Sequence, residues 1–281
     1  MAEDRESGAS ALLARAIAVL ADALAAGIPI RPVAREVCRA QPSMAPMWNA
    51  ALEAIRAEDS PARFDRFASR VARAAAAMAR FGAEHLAGPD ESGPLRLVTI
   101  SQSGSVAAVL EAIHQQRPLQ VSCSEGRPAL EGRRMAAELA QRGIAVTFYS
   151  DAAVGHAVEG ANAVLVGADA ISPDWFLNKS GTLTLASAAS VRGVPVYVVA
   201  SRDKFVAPQV ASRLIIREGA PNEIWDAPPA RVTVRNPYFE PTPLDLVAGV
   251  ISDAGVLGAG MIGDVCRSMH DAKTMAALDE V

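Results

Sequence analysis

An acidic side chain follows a buried strand in the middle of the chain, where it could act as an acid or a base on a bound ligand. The apolar run Ala163 to Val166 is typical of a central parallel strand, and Gly167-Ala168-Asp169 comes directly after it. Open α/β sheets hold their ligands in a crevice at the carboxyl ends of their strands. We therefore expect Asp169 to face a ligand.

Two further polar side chains, Asn178 and Lys179, precede a predicted helix. The segment Asn178-Lys179-Ser180-Gly181-Thr182 is typical of a helix start, because Ser180 and Thr182 can cap the first turn. The free N–H groups of such a turn, with Lys179 beside them, suit an anionic group such as a phosphate. A capped helix after a tight turn is the structural alternative, but it leaves Asn178 and Lys179 without a role.

Other predicted strands also end in side chains that could hold an anion. Ser101-Gln102-Ser103-Gly104-Ser105 is a hydroxyl-rich turn that could cradle a phosphate, although a simple serine cap explains it equally well. Arg127 could make a two-point contact with a phosphate, and Glu125 could fix Arg127 or bind a sugar hydroxyl. The structural alternative there is a Glu–Arg pair that closes a turn. Lys204 adds another cation at the same edge.

These side chains meet only if their strands form one parallel sheet. Strands are predicted at Arg96 to Ile100, Leu119 to Cys123, Ile144 to Tyr149, Ala163 to Val166, Val194 to Ala200 and Gly249 to Ser252. Helices are predicted between and after them, at Val106 to Gln115, Ala129 to Arg142, Ala152 to Val158, Leu183 to Val191 and Gly260 to about His270. This alternation predicts an α/β fold with a doubly wound, mainly parallel Rossmann-like sheet.

The first part of the chain shows helical periodicity and no convincing strand. Helices are predicted through Leu13 to Leu24, through Trp48 to Ile55 and from Pro61 to about Leu86. The last of these carries many arginines, for which we favour a solvated face over a basic wall that binds a phosphate. A turn-rich connector, Ala87 to Pro94, follows it. We therefore predict a helical N-terminal domain at 1–90 and an α/β sugar-phosphate-binding domain at 91–281.

Composition limits the classes of partner. The chain has 281 residues and a net charge of −4, which argues against broad nucleic-acid or anionic-membrane binding but allows a local pocket for a small anion. The 3 cysteines lie far apart, and no charged leader precedes the first helix, which predicts a reducing, cytoplasmic location. Charged residues interrupt the apolar stretch Ala11 to Ile30, so no membrane span is expected. We predict no metal and no cofactor.

Together these segments closely resemble the family of the alpha, beta and delta subunits of eukaryotic translation initiation factor two-B. That family also holds methylthioribose-1-phosphate isomerase and ribose-1,5-bisphosphate isomerase. The resemblance covers roughly Leu97 to Gly258. It rests on Glu125-Gly126-Arg127-Pro128 with Glu131-Gly132-Arg133, on Asp151-Ala152-Ala153-Val154-Gly155, on Gly167-Ala168-Asp169 with Asn178-Lys179-Ser180-Gly181-Thr182, and on Asn236-Pro237 through Thr242-Pro243. It implies a small phosphorylated sugar as ligand and a homodimer.

The resemblance also implies catalytic roles. In the isomerase members, a cysteine after the first strand and the aspartate of the Gly-Ala-Asp motif open the ring of a sugar 1-phosphate and move a proton between C1 and C2. Asp169 matches that aspartate. The family's Thr-His-Cys-Asn pattern reads Thr99-Ile100-Ser101-Gln102 here, so Ser101 stands in place of the cysteine. A serine hydroxyl is a far poorer acid or base near neutral pH than a thiol of pKa about 8.5.

Functions of different classes therefore stay open. The missing cysteine favours a protein that binds a sugar phosphate without the usual isomerisation. The alternative is an active isomerase that uses Asp169 with Ser101 or with Cys123, which lies near the end of the adjacent strand. A regulatory or assembly subunit like the translation factors is less favoured, because a shared fold does not carry function and the acidic chain shows no evident RNA-binding surface.

Overall fold

Helices alone form the first part of the molecule, as the periodicity predicts. The computed structural model describes residues 9–88, 93–216, 218–269 and 276. Its first helices are α1 (Ala9–Ala25), α2 (Ile30–Ala40), α3 (Ala45–Arg56) and α4 (Pro61–Leu86). The sequence patterns above predict α1, α3 and α4 but miss α2. Its buried stripe Ile30, Ala34, Val37 and Cys38 has helical spacing and was the available signal.

Two sheets make up the rest of the fold. In chain order the strands are β1 (Leu95–Thr99), β2 (Leu119–Ser124), β3 (Ala145–Tyr149), β4 (Ala163–Val166), β5 (Ala170–Ile171), β6 (Trp175–Lys179), β7 (Val196–Val199), β8 (Phe239–Pro243), β9 (Gly249–Ser252) and β10 (Gly255–Gly258). The 7-stranded sheet has the order β10-β9-β7-β4-β1-β2-β3. Within it β10 pairs antiparallel with β9, and the other pairs are parallel.

Helices cover both faces of the large sheet. The helices after β1 are α5 (Gly104–His114), α6 (Glu131–Gln141), α7 (Val154–Ala157), α8 (Thr182–Val191), α9 (Pro208–Ala211) and α10 (Ala259–Ser268), of which α9 packs instead with the N-terminal helices. One hydrophobic core joins the sheet to α4, α5 and α6, and a second core joins it to α7, α8 and α10. The doubly wound, mainly parallel fold is therefore confirmed.

The order of the strands reverses direction at β1. β1 lies in the interior of the sheet between β2 and β4, and the chain first builds outward through β2 to β3 before it returns to add β4 on the other side of β1. The loops that follow β1 and β4 therefore lead to helices on opposite faces of the sheet. The place where the strand order reverses is called a switch point. In α/β proteins the loops diverge there at the carboxyl edge of the sheet, and ligands bind in the crevice between them.

The small sheet differs from the sequence expectation. Its order is β5-β6-β8, and all of its pairs are antiparallel. Asn178 and Lys179, expected at the start of a helix, instead end strand β6, and α8 begins only at Thr182. β6 is a strand because it pairs with β8, which lies far away in the sequence, and local pattern does not reveal such pairing.

The N-terminal helices share a core with the sheet-forming part. Buried residues of the N-terminal helices pack with four residues of the sheet-forming part, namely Ala170, Leu177, Val206 and Val210. The second half of α4 packs against α5 and the large sheet. Residues 89–92 of the predicted connector lie outside the described residues. The division into domains at residue 90 therefore stays a proposal.

None of the described helices combines the length and the apolar content needed to cross a lipid bilayer.

Candidate ligand-binding crevice

Asp169 follows β4 and enters the small sheet. Its backbone N–H donates to the Leu177 carbonyl at 2.8 Å, and its own carbonyl accepts from the Ala45 N–H, at the start of α3, at 3.1 Å. Burial raises the pKa of the Asp169 carboxyl, and the positive charge of Lys204 opposes that rise only in part. Asp169 is therefore more easily protonated than an exposed aspartate, as an acid–base group requires.

Lys204 is held at the crevice by the helical layer. It ends a short 3-10 turn after β7, and its side chain is largely buried. The Asn49 amide of α3 donates to the carbonyls of Asp203 and Phe205, at 2.6 and 2.9 Å, and so fixes the backbone on both sides of Lys204. Sequence reasoning missed Asn49, although a lone asparagine among the apolar residues of α3 was a usable signal.

The serine-rich turn after β1 lies against the segment that follows β4. Ser101 has a φ of 61°, in the left-handed region that non-glycine residues seldom adopt. Ser103 caps α5, and its hydroxyl accepts from the Val106 N–H at 3.4 Å. A Cβ added to Gly167 would lie 2.9 Å from the Ser103 hydroxyl oxygen, so only glycine permits this approach. Gly104 and Ser105 begin α5, where backbone N–H groups lack a helical acceptor.

Asn178 completes this contact. Its side-chain oxygen lies 3.7 Å from the position of the same Gly167 Cβ. Its amide nitrogen donates to the Thr182 hydroxyl at 2.9 Å, and that hydroxyl donates to the Lys179 carbonyl at 2.6 Å. Both side chains are buried, so Thr182 fixes the rotamer of Asn178 beside Ser103.

Lys179 is buried next to an acid. Its ammonium donates to Glu131 Oε1 at 2.8 Å and lies 4.5 Å from the centre of the Tyr238 ring. Glu131 stands in the first turn of α6. A Cβ on Gly132 would lie only 1.7 Å from the Ser124 carbonyl oxygen, so this glycine lets α6 approach the end of β2. Glu131 belongs to a motif of the family resemblance, but the sequence pattern did not predict it as a site residue.

The start of α8 does not offer all the free N–H groups expected of it. The Glu240 carboxylate, on β8, accepts from the Gly181 and Leu183 N–H groups at 2.7 and 2.9 Å. A phosphate on these two N–H groups, as the sequence predicts, would therefore have to displace the Glu240 carboxylate that already accepts from them. Glu240 reaches α8 only through the β6–β8 pairing, which the sequence pattern did not reveal.

A different acid organises the turn that carries Arg127. The Asp151 carboxylate accepts from the Gly126 N–H at 2.9 Å and from the Arg127 N–H at 2.7 Å. The Arg127 side chain is exposed. Glu125 lies 4.0 Å from Arg133, and no ion pair between Glu125 and Arg127 occurs in the described part of the chain. Asp151, which the sequence presents only as part of a motif of the resemblance, thus shapes the loop that carries Arg127.

Cys123 is enclosed within the sheet. It lies in β2 between Thr99 of β1 and Phe148 of β3, and it is fully buried. Burial raises the pKa of its thiol to about 11, so the thiol stays protonated near neutral pH. These properties disfavour Cys123 as the second catalytic group.

The contacts bring part of the predicted site together, with Ser103, Asn178 and Lys179 in one group and Asp169 and Lys204 in a second. Ser103 adjoins Asn178 across Gly167, Asn178 precedes Lys179, and Lys179 binds Glu131. Asp169 and Lys204 interact electrostatically beside them. We call this region the crevice. Among the described residues, no three His, Cys, Asp or Glu side chains gather as a metal site would require.

Comparison with known proteins identifies relatives of this arrangement. The model of the initiation factor 2 subunit family matches residues 5–259. A putative methylthioribose-1-phosphate isomerase of Archaeoglobus fulgidus is 34% identical over 170 residues, which cover 58% of this chain and 50% of that protein. The ribose 1,5-bisphosphate isomerase of Methanocaldococcus jannaschii is 29% identical over 199 residues, which cover 69% of this chain and 63% of that protein. The chain thus spans roughly half to two thirds of the length of these relatives.

Solved structures share the fold over most of its length. The translation initiation factor eIF-2B of Pyrococcus horikoshii superposes with a TM-score of 0.75 at 27% identity, covering 91% of this chain and 93% of that chain. The 5-methylthioribose 1-phosphate isomerase of the same organism superposes with a TM-score of 0.65 at 22% identity, covering 93% of this chain and 83% of that chain. The second similarity concerns the fold alone.

Proposed function

We propose, on the premise that this chain belongs to the initiation factor 2 subunit family, that it binds a small phosphorylated sugar in the crevice. The observation that carries the proposal is Asp169, an acid with a raised pKa that lies beside Lys204 at the switch point of the sheet. Relatives named as isomerases of sugar 1-phosphates support this class of ligand.

The proposal assigns parts of the ligand to parts of the crevice. The turn Ser101–Ser105 and Arg127 would bind phosphate, since both offer N–H or hydroxyl donors at the carboxyl edge. Glu125 and Asn178 would bind sugar hydroxyls, and Lys179 and Lys204 would balance the negative charge of the phosphate. No metal or cofactor is part of this proposal.

This crevice has a poorer pair of acid–base groups than an isomerase that carries a thiol in place of Ser101. Moving a proton between C1 and C2 needs both an acid and a base within reach of the sugar. Asp169 can serve as one of them, but the Ser101 hydroxyl is a poor second group near neutral pH. Cys123 is fully buried and protonated. We therefore favour a binding protein with little isomerase turnover.

One observation favours the alternative of an active isomerase that uses Asp169 with Ser101. The φ of 61° at Ser101 is unfavourable for a residue with a Cβ, and such backbone strain occurs often at catalytic positions. A strained serine after β1, together with an acid of raised pKa after the neighbouring strand β4, is therefore compatible with catalysis.

Substitution of Ser101 by cysteine distinguishes the two functions. Ser101→Cys restores a thiol, so it should raise turnover of methylthioribose 1-phosphate or ribose 1,5-bisphosphate if the rest of the site is catalytic, as followed by NMR. Cys123→Ser is the matched control. A parent rate on the order of 1–10³ s⁻¹, unchanged in Cys123→Ser, would contradict the binding role. Ligand binding without turnover in the parent and in Ser101→Cys would support it.

The oligomeric state, the class of partner and the location of the protein are also proposals. The resemblance to the family supports a homodimer, which sedimentation of the purified protein tests directly. The net charge of −4 supports a partner that is not a nucleic acid, and the dispersed cysteines support a cytoplasmic location. A role in translation is less favoured, because a shared fold does not carry function.

A further inference from the structure

The Lys179–Glu131 pair occupies the position where the proposed function needs a free cation. The two charges lie 2.8 Å apart, and their side chains are 4% and 18% exposed. Lys179 thus already has an anionic partner, supplied by the protein itself. A phosphate that approaches Lys179 meets a carboxylate on the same ammonium group.

The two carboxylate oxygens of Glu131 differ in their hydrogen bonding. Oε1 accepts from Lys179, whereas Oε2 is buried and has no hydrogen-bond partner among the described residues. Oε2 lies 3.3 Å from where a Cβ on Gly126 would be, in the loop that also carries Arg127. A buried carboxylate oxygen without a donor is unfavourable, so this half of the group opposes the paired arrangement.

Lys179 has a second contact that does not depend on Glu131. Its ammonium lies over the Tyr238 ring, and the Ser180 N–H donates to the Tyr238 carbonyl at 2.9 Å, which keeps the two segments together. A cation over an aromatic face keeps a favourable interaction when its anionic partner changes. Lys179 can therefore exchange one anion for another without becoming isolated.

We propose that Glu131 is an internal competitor for the ligand's phosphate at Lys179, so that binding requires the Glu131 carboxylate to leave the ammonium group. This inference rests on the proposed function, because it concerns the same crevice. It makes Glu131 a determinant of affinity. Ligands that bring a full phosphate charge displace Glu131, whereas neutral sugars do not.

Removal of the Glu131 charge tests the competition. Inorganic phosphate is the probe, titrated by calorimetry at constant ionic strength. Glu131→Gln should bind phosphate at least roughly tenfold more tightly than the parent, since Lys179 then lacks a competing anion. Glu84→Gln is the control. It removes an exposed carboxylate of α4 that is paired with Arg80 at 3.0 Å, and it should leave phosphate affinity within about twofold of the parent.

A double variant assigns the gain to its cause. Lys179→Met in the Glu131→Gln background should return phosphate affinity to the parent level or below. If the Glu131→Gln protein is too unstable for calorimetry, its unfolding temperature should rise more with added phosphate than that of the parent does. Glu131→Asp, which keeps the charge on a shorter side chain, should show a smaller gain.

The outcomes separate this inference from the proposed function. Equal or weaker phosphate binding by Glu131→Gln, or a gain that persists in the double variant, overturns the competition. Failure of the parent to bind any sugar phosphate overturns the proposed function. If the gain in Glu131→Gln still occurs in that case, the competition at Lys179 stands on its own.

Discussion

Individual residues of the crevice are held by neighbouring side chains. Asn178 is positioned by Thr182, and the backbone around Lys204 is fixed by Asn49. Asp169 sits in surroundings that favour its neutral form. At the scale of the residue, Asn178 and the backbone around Lys204 are therefore held in place before any ligand arrives, which reduces the free energy lost on ordering during binding, whereas the Lys179–Glu131 pair must rearrange.

The raised pKa of Asp169 predicts that its charge destabilises the folded state. Below the ordinary value of 3.8 the carboxyl is protonated in both the folded and the unfolded chain, so the carboxyl favours neither state. Between 3.8 and the raised folded-state pKa, the unfolded chain is ionised while the folded chain keeps its proton, so the stability of the folded chain falls as the pH rises through this window. Asp169→Asn, which carries no charge, should therefore unfold at a higher temperature than the parent at pH 7, and calorimetric scans should show the gap closing towards pH 3.8. A parent that is the more stable protein at pH 7 would contradict this.

Substitution of Arg127 is expected to affect ligand binding and not folding. Its side chain is exposed on a turn held by Asp151, so Arg127→Ala should fold normally but weaken binding of a sugar phosphate by about 1.5–3 kcal/mol. Arg73→Ala removes an exposed arginine of α4 and serves as the control. Equal affinities of the two variants in calorimetry would assign Arg127 to structure.

At the scale of the element, local pattern predicts the large sheet well. The apolar runs of β1, β2, β3, β4, β7 and β9 are short and bounded by turns, so periodicity and composition indicate them directly. The small sheet could not be predicted in this way. β6 depends on β8, and Glu240 reaches the start of α8 only through that pairing.

The same limit applies to the pairing of charges across elements. One arginine of α4 departs from the expected solvated face, because Arg70 lies 3.6 Å from Asp253, beyond β9. Lys179 was predicted as a ligand contact from its place at the start of a predicted helix, but nothing in the local sequence shows that Glu131 of another helix would reach it. Residue types therefore indicate the chemistry of the crevice, whereas the pairing of its charged side chains depends on tertiary contacts.

Glu240 of β8 is expected to stabilise the start of helix α8 measurably. Its carboxylate accepts from the Gly181 and Leu183 N–H groups and complements the positive end of α8. Glu240→Gln should lower the free energy of unfolding by roughly 0.5–2 kcal/mol, as measured in urea. Glu84→Gln, which breaks the exposed pair with Arg80, should change it by less than about 0.5 kcal/mol. Equal effects would show that Glu240 does not stabilise α8.

At the scale of the whole molecule, the helical layer and the sheet jointly build the crevice. The start of α3 binds the backbone of Asp169, and the same helix fixes the turn that carries Lys204. The buried cores of the two parts are also continuous. Changes in α3 are therefore expected to reach the ligand site although α3 carries no predicted ligand contact.

The central claim is that this crevice binds a phosphorylated sugar, and thermal unfolding of the purified protein tests it most directly. Pentose and hexose phosphates, including ribose 1,5-bisphosphate, are compared with the same sugars without phosphate and with inorganic phosphate. A true ligand at 100 times its dissociation constant should stabilise the folded protein by about 2.7 kcal/mol, and the Arg127→Ala variant should show less. No shift with any sugar phosphate, or an equal shift with the sugars that lack phosphate, would contradict the account.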